Sequence, residues 1–318
     1  MVAPSDTISL STEPPAPVAA GPSAFYRARL WRTGLAAART LPLPASLALG
    51  RLAGALYGVL RPGRRRVVAE NLAPLLEGNH AAAAHAAGRL FRNFGAKLAD
   101  LMRFEAGAPV EPRFVALNDW ERFEAARARG RGILLLTPHL GNWEIGAPLL
   151  VNRGVPLLVI TQAEPEEDLT DLRRRARARF GVQTLVIGGD AFAFVEIIKR
   201  LQDGATVAML VDRPPGLSGV EVAFCGRPFL ASLAPAELAR AAGCALLGVY
   251  IVARGGGYAA SVLPEFTYDR RALGDRAARR ELAGRIMRAF EPVVRAHADQ
   301  WYHFVPIWPA GNRQEAGA

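Results

Sequence analysis

The chain has 318 residues, of which 51% are hydrophobic, and its mean hydropathy is +0.12. This length suffices for one large α/β domain or two small ones, and the hydropathy is too low for a polytopic membrane protein. The formal net charge is +10, and all but two of the 39 basic residues are arginines. Such a surplus suits an anionic membrane surface or an acidic protein partner, and an ordinary solvated surface is the alternative. No nucleic-acid-binding motif accompanies the charge, so no nucleic-acid partner is predicted.

The N-terminal segment changes character along its length. Residues 1–22 are rich in Pro, Ala, Ser and Thr, which predicts a disordered tail. Residues 23–66 are predicted to form helices that associate with a membrane. Within them, residues 41–60 are almost wholly apolar and about as long as the ~20 residues that span a bilayer. Prolines, glycines and Arg51 favour a helix that lies in the membrane plane or dips partly into it, with flanking arginines on anionic head groups. A buried core helix is the alternative.

The rest of the chain alternates between helical and strand patterns. Amphipathic helices are predicted first, and buried strands then alternate with helices up to an irregular stretch, residues 213–230. This order predicts an α/β domain over residues 67–310, with a central, mainly parallel or mixed sheet flanked by helices, and a tail at 311–318. The predicted helices span residues 64–104, 171–181, 192–202, 234–243 and 276–297; the predicted strands span 131–137, 155–161, 182–187 and 205–212, and a hairpin joins 244–254 to 258–263.

Cysteine usage and the first residues bear on the compartment. Cys225 and Cys244 form no CxxC pair and no metal-ligand spacing. A reducing cytoplasm is the simplest environment for them, and a disulfide between them is the alternative. The first residues lack the basic segment and apolar core of a secretory signal, so none is expected.

One octapeptide, T-P-H-L-G-N-W-E over residues 137–144, combines several chemically useful side chains. It follows a predicted buried strand and opens a helix, which is where α/β sheets hold their functional sites. Gly141 allows a sharp backbone turn, and Asn142 is a good residue to cap the helix. His139 in the loop and Glu144 in the first helical turn are predicted to meet.

A histidine and a carboxylate in contact form a general base and the group that orients it. A neutral imidazole can accept the proton of an attacking hydroxyl, and a carboxylate on its other nitrogen fixes the tautomer and stabilises the imidazolium. The chain has no serine in a GxSxG turn, which favours direct attack by the acceptor over an acyl-enzyme. A lone histidine in a loop is also often structural.

The octapeptide resembles the His-x4-Asp/Glu motif of the glycerolipid acyltransferases. The form H-L-G-N-W-E is similar to the branch that contains the lipid A acyltransferases and the mycobacterial phosphatidylinositol mannoside acyltransferase. Further segments resemble that family in the family's order, and together they cover roughly residues 30–310. These segments are RRRVVAENLAPLLEG, LFRNFGAKLADLMRF, RARARFGVQTLVI, QDGATVAMLVDRPPG and VEVAFCGRPFLASLAPAELARAAGCALLGVY.

The resemblance assigns roles residue by residue. His139 is then the general base and Glu144 its partner. Arg179, just before a glycine and a strand, matches the arginine that stabilises the oxyanion or holds a phosphate, and Arg177 is the close alternative. Asp212 matches the acidic residue after the strand, where it orients Arg179 or the acceptor, or caps the next turn. Asn142 and Gly141 are expected to help form the substrate site.

The chain departs from the pattern at Arg213, where relatives commonly have glutamine, and in the two prolines that follow. FCG also replaces the usual paired phenylalanines. These changes bear on the identity of the acceptor.

The resemblance implies an acyltransferase at the cytoplasmic face of a bacterial inner membrane. The donor would be an acyl thioester on acyl carrier protein or coenzyme A, and the acceptor a hydroxyl of a membrane lipid such as a lipid A precursor or a glycolipid. No metal or tightly bound cofactor is expected. The alternatives are a non-catalytic lipid-binding protein and a thioesterase on the same fold.

Overall fold

The computed structural model describes residues 27–187, 191–214 and 219–309. The tails predicted at residues 1–22 and 311–318 lie outside them. The helices are α1 (Ala28–Thr40), α2 (Leu43–Leu60), α3 (Pro62–Leu72), α4 (His80–Glu105), α5 (Trp120–Ala128), α6 (Gly146–Asn152), α7 (Glu167–Ala178), α8 (Ala191–Gln202), α9 (Ala234–Ala242) and α10 (Arg276–Ala296). The strands are β1 (Phe114–Asn118), β2 (Ile133–Thr137), β3 (Leu157–Gln162), β4 (Gln183–Ile187), β5 (Thr206–Leu210), β6 (Gly219–Phe224), β7 (Arg227–Ser232), β8 (Ala245–Arg254) and β9 (Gly257–Val262).

A seven-stranded sheet forms the centre of the described structure, in the order β1-β9-β8-β2-β5-β3-β4. The five strands from β8 to β4 run parallel, whereas β9 is antiparallel to β8 and parallel to β1. Every residue of β2 is buried, as expected of a parallel strand covered on both faces. The predicted α/β fold, with a mainly parallel central sheet flanked by helices, is confirmed.

The region after β5 differs from its prediction. The stretch 213–230, predicted to be irregular, contains β6 and the start of β7, which pair as a separate antiparallel hairpin. Residues of β6 alternate in burial, since the hairpin packs against α10 on one side. Pro228 and the Cys225–Gly226 turn obscure this period in the sequence. Strand β1 and helix α5 also escaped prediction.

Helix α2 packs on α4 through glycines. A Cβ atom on Gly54 would lie 2.0 Å from the carbonyl oxygen of Phe91, and one on Gly50 would lie 2.5 Å from that of Gly95. Gly95 on α4 likewise has no room for a side chain, because a Cβ there would be 2.0 Å from the carbonyl oxygen of Gly50. The two helix backbones are therefore in direct contact, as in small-xxx-small packing.

The opposite face of α2 is apolar and exposed. Leu52, Leu56, Val59 and Leu60 have exposed fractions of 65%, 55%, 65% and 67%. Within the described part of the chain, α2 alone is long and apolar enough to cross a membrane, and only 11% of it is buried. The alternative of a buried core helix is therefore wrong, and α2 is a helix that could associate with a membrane.

The glycine contact predicts a specific sensitivity to added volume. We expect Gly54→Ala to lower the free energy of unfolding by about 1–3 kcal/mol, because the new methyl group would overlap the α4 backbone. Thermal and denaturant unfolding of the purified protein measure this loss. Gly63→Ala in α3 is the matched control, since a Cβ there meets nothing within 4 Å. Equal stability of the two variants would contradict the close packing of α2 on α4.

Candidate active site

His139 and Asp212 meet at the carboxyl ends of two neighbouring strands. His139 lies two residues beyond β2, and Asp212 lies two residues beyond β5, which is paired in parallel with β2. The Nδ1 atom of His139 is 2.7 Å from Oδ1 of Asp212, and the backbone N–H of His139 donates to Oδ2 at 2.9 Å. The sheet order thus joins two residues that are 73 positions apart in the chain.

The C-terminal segment completes the surroundings of Asp212. Nε1 of Trp301 donates to Oδ2 of Asp212 at 2.8 Å, and Nε2 of His303 lies 2.9 Å from the same oxygen. The backbone N–H of Tyr302 donates to the carbonyl of His139 at 2.8 Å, which fixes this segment against the loop after β2. Asp212 is buried and accepts four hydrogen bonds from three residues, since His139 contributes two of them.

The hydrogen bonds determine which nitrogen of His139 is basic. Burial disfavours the ionised form of Asp212, but His139 and His303 outweigh it and hold the pKa of this carboxyl well below its ordinary value. Burial also lowers the pKa of His303 in spite of Asp212, so His303 is a neutral donor. Because an ionised Asp212 can only accept, Nδ1 of His139 donates to it, and Nε2 is the nitrogen that can act as a base. Among the described residues, Nε2 has no hydrogen-bond partner.

Gly141 and Asn142 shape the loop. Gly141 has a φ of +61°, and a Cβ there would lie 1.8 Å from the carbonyl oxygen of Ile251. The side chain of Asn142 is fully buried and donates to the hydroxyl of Tyr258 at 3.1 Å instead of capping the following turn. Neither residue lines the cavity described below. Both residues shape the loop, with the sharp turn at Gly141 as expected, and their contact with substrate stays a prediction.

Glu144 does not contact His139. Its carboxylate faces the other way and pairs with three buried or half-buried cations: Lys97 at 3.2 Å, Arg177 at 3.3 Å, and Arg173 in the closest contact. The predicted His139–Glu144 pair is thus corrected, because Asp212 occupies the orienting position on Nδ1. Burial opposes the ionisation of Glu144, but Arg173, Lys97 and Arg177 together hold its pKa far below the ordinary range.

The cations around Glu144 belong to a larger buried network. Arg173 also contacts Glu105 at 3.3 Å and Glu164, and Nε1 of Trp31 donates to Glu105 at 2.5 Å. Burial lowers the pKa of Lys97 against the pull of Glu144, and burial raises that of Glu105 against the pull of Arg173. The carboxylates of Glu105, Glu144 and Glu164 thereby compensate three cations, Lys97, Arg173 and Arg177. The network joins α1, α4 and α7 to the turn that carries Glu144.

Arg177 and Arg179 have different environments. Arg177 lines the same cavity as His139 and contacts Glu144. Arg179 is exposed, donates to the backbone carbonyl of Glu105, and does not line that cavity. Arg179 thus lies outside the cavity, because it projects from α7 in a different direction, and its predicted catalytic role stays a prediction. Arg173, four residues before Arg177 on the same helical face, is the arginine that sequence reasoning missed.

His303 and Trp301 were also missed as members of the site. The sequence shows an aromatic segment with a histidine near an aspartate, a pattern more typical of a structural role. Only the hydrogen bond of each side chain to Asp212 distinguishes them.

A large apolar cavity opens beside His139. Its volume is about 1530 Å³, and its wall includes residues of α1, α2, α4, α8 and the sheet. Aromatic rings lead away from the active centre in successive contact, with Trp143 to Tyr302 at 6.3 Å and Tyr302 to Phe94 at 5.1 Å between centroids. The path continues from Phe94 to Phe304 at 4.8 Å, from Phe304 to Phe91 at 5.5 Å, and from Phe91 to Tyr57 of α2 at 5.9 Å. The cavity thus connects the histidine to the inner face of α2.

His139, Asp212 and His303 also form a cluster with metal-ligand atoms within 4.8 Å of one another. The two oxygens of Asp212 already accept from two backbone or indole N–H groups and two imidazoles. These hydrogen bonds occupy both oxygens of Asp212. They therefore stabilise the Asp212 carboxylate itself and are less suited to a metal centre. The expectation that no metal is needed remains a prediction.

Comparison with known proteins adds to this geometry. The sequence profile described as "Bacterial lipid A biosynthesis acyltransferase" matches residues 25–309. The chain belongs to this family. The resemblance read from the octapeptide and its companion segments is thereby confirmed, and the site described above lies within the matched residues.

Within the lipid A acyltransferase family, the chain is similar to curated mycobacterial proteins. It is 31% identical over 191 residues to the phosphatidylinositol mannoside acyltransferase of Mycobacterium tuberculosis (strain CDC 1551 / Oshkosh), covering 60% of this chain and 58% of that protein. It is 29% identical over 202 residues to the protein of the same name from Mycolicibacterium smegmatis, covering 63% and 64%. The alignments thus span less than two thirds of these relatives.

Proposed function

We propose that this protein transfers a fatty acyl chain from an acyl thioester to a hydroxyl group of a membrane glycolipid. The observation that carries the proposal is the hydrogen bond between Nδ1 of His139 and buried Asp212, which leaves Nε2 as a base beside a large apolar cavity. Membership of an acyltransferase family supports this chemistry. The names of the mycobacterial relatives favour a mannosylated phosphatidylinositol as acceptor, and a lipid A precursor is the second candidate.

The residues divide the chemistry as follows. Nε2 of His139 accepts the proton of the acceptor hydroxyl while the oxygen of that hydroxyl attacks the carbonyl carbon of the thioester. Asp212 stabilises the imidazolium that forms, and His303 and Trp301 hold Asp212 in place. Collapse of the tetrahedral intermediate forms the ester and expels the thiolate, which takes the proton from His139. Arg177, which lines the cavity and is held by Glu144, is the arginine we assign to the developing oxyanion.

The cavity provides the acyl site in this proposal. Its aromatic wall from Trp143 to Tyr57 offers continuous apolar surface, which suits a fatty chain with its thioester at His139. Either coenzyme A or an acyl carrier protein can present such a chain. Both donors belong to the cytoplasm, so we place the reaction at the cytoplasmic face of the bacterial inner membrane.

Transfer by the purified protein tests the function. Radiolabelled palmitoyl-coenzyme A or palmitoyl-acyl carrier protein is offered with phosphatidylinositol mannoside, with a lipid A precursor, or with no acceptor. We expect a labelled lipid that carries one additional acyl chain with one acceptor class. Release of free palmitate without an acylated lipid would identify a thioesterase. Binding of the lipid without either product would identify a lipid-binding protein.

We also propose that the exposed face of α2 attaches the enzyme to the membrane. Four leucines and Val59 cover this face, while the arginines of α3 follow it directly in sequence. Apolar side chains in the acyl region and arginines at anionic head groups are the features of interfacial helices. Since the other face of α2 lines the cavity, a lipid acceptor would reach His139 from the bilayer past this helix.

Attachment through α2 predicts that charged substitutions on its exposed face weaken binding to vesicles. We expect Leu52→Glu combined with Leu56→Glu to weaken binding to anionic vesicles at least about 10-fold, because two leucines together contribute about 3 kcal/mol or more when fully buried. Co-sedimentation with phosphatidylglycerol-containing vesicles measures this change. Leu230→Glu is the control, since Leu230 is an exposed leucine on β7. Unchanged binding of the double variant would refute attachment through α2.

A further inference from the structure

The charges on the cavity wall do not balance. Three glutamates line it, and each is already paired: Glu144 and Glu164 with arginines of α7, and Glu237 with Arg240 at 3.3 Å and Arg279 at 2.8 Å. The partners of Glu237 lie outside the cavity wall, so its charge is neutralised from behind. Four arginines also line the cavity, and two of them, Arg173 and Arg177, are engaged by Glu144.

The two remaining arginines are Arg64 and Arg213. Within the described ranges, neither forms an ion pair with a carboxylate. The uncommitted charge on the wall is therefore positive. Arg64 is half-buried and Arg213 is exposed at the edge of the cavity, so a ligand can reach either guanidinium. A guanidinium without a counter-ion can form charge-assisted hydrogen bonds to a ligand anion.

Arg213 is the one at the active centre. It follows Asp212 directly, and Asp212 is bonded to both His139 and His303. Burial is the main cause that lowers the pKa of His303, Asp212 opposes this, and the charge of Arg213 adds to the lowering. Arg64 belongs to α3, which follows the helix that carries Tyr57 at the far end of the aromatic wall.

We propose that Arg213 binds a phosphate group of a substrate and aligns that substrate with His139. The planar guanidinium suits a phosphate or phosphodiester, because two of its N–H groups can donate to two phosphate oxygens. Two substrates of the proposed reaction can carry such a group. One is the phosphopantetheine arm of the thioester donor, and the other is the phosphodiester of a phospholipid acceptor. The proposal deepens the proposed function and rests on it for the identity of these substrates.

Arg213→Gln tests the proposal with two matched pairs of ligands. Glutamine retains polarity and hydrogen-bonding capacity without the charge. The donor pair is 4′-phosphopantetheine and phosphate-free pantetheine, both measured by isothermal titration and, as palmitoyl thioesters, by kcat/KM. The acceptor pair is phosphatidylinositol mannoside and a mannosyl diacylglycerol that lacks phosphate, both in mixed micelles and measured in the same two ways. Arg227→Gln is the control, because it removes an exposed arginine of β7 that does not line the cavity.

In Arg213→Gln, we expect the preference for the phosphate-bearing ligand to fall in only one of the two ligand pairs. The preference for the phosphate-bearing ligand should fall at least about 10-fold in Arg213→Gln and remain unchanged in Arg227→Gln. Loss in the donor pair assigns Arg213 to the phosphopantetheine arm, and loss in the acceptor pair assigns it to the lipid. An equal change for phosphate-bearing and phosphate-free ligands, or no change, overturns the proposal. Absence of acyl transfer in the wild type would instead refute the proposed function, while the titrations would still decide the role of Arg213.

Discussion

Asp212→Asn is expected to lower kcat for acyl transfer by about 10²–10⁴-fold while the protein remains folded. The amide cannot stabilise the imidazolium of His139, and its NH₂ group would face imidazole N–H donors that now meet a carboxylate. His139 would then lose its orientation and its preferred tautomer. Steady-state kinetics with a saturating thioester donor measure the loss.

Two companion variants make this result interpretable. His139→Ala should reduce kcat to a similar extent, and combining it with Asp212→Asn should add little, because the two residues act as one unit. Asp203→Asn, at an exposed position after α8, should leave kcat unchanged. Wild-type kcat in folded Asp212→Asn would show that another group orients the base.

Glu144→Gln is expected to lower the free energy of unfolding by about 3–5 kcal/mol. The substitution removes the carboxylate that compensates Lys97, Arg173 and Arg177, and Lys97 is only 4% exposed. Denaturant unfolding at neutral pH measures the loss. Any effect on kcat should act through Arg177, which Glu144 holds, since Glu144 does not touch His139.

A double-mutant cycle tests whether the unpaired Lys97 causes the loss of stability in Glu144→Gln. Adding Lys97→Met removes the buried ammonium, so the double variant should be more stable than the sum of the two single losses predicts. Glu221→Gln, at an exposed position on β6, should change the free energy of unfolding by less than about 0.5 kcal/mol. Additive losses in the cycle would mean that Glu144 and Lys97 do not depend on each other.

The sequence located the loop of the site but not the partner of its histidine. Because buried β2 ends at Thr137, the position of His139 at a strand end could be predicted from hydrophobic pattern alone. Glu144 was the nearest carboxylate along the chain and so the natural candidate. Choosing Asp212 required knowledge that β5 lies beside β2, and strand order is not encoded in any local pattern. The hydrogen bond from His303 to Asp212 joins residues that are 91 positions apart, compared with 73 for His139 and Asp212.

Helical geometry explains why Arg179 lies outside the cavity. Arg173 and Arg177 are four residues apart and therefore share a face of α7, whereas Arg179 projects from another direction. In a run of arginines, all of them look equivalent until the buried face of the helix is known. The same limit applied to α2, whose composition predicted membrane association, while its glycine contact with α4 became evident only from the packing.

The hydrogen bonds of Asp212 also determine when, during synthesis, the protein can become active. The site needs the loop after β2, the residue after β5 and the segment Trp301–His303, so it cannot form until residue 303 has left the ribosome. Helix α2 emerges far earlier, and its exposed leucines lie on the face directed away from α4. On this order of events, the growing chain can reach the bilayer before it can react with any thioester. If α2 attaches the enzyme to the membrane as proposed, attachment would precede activity.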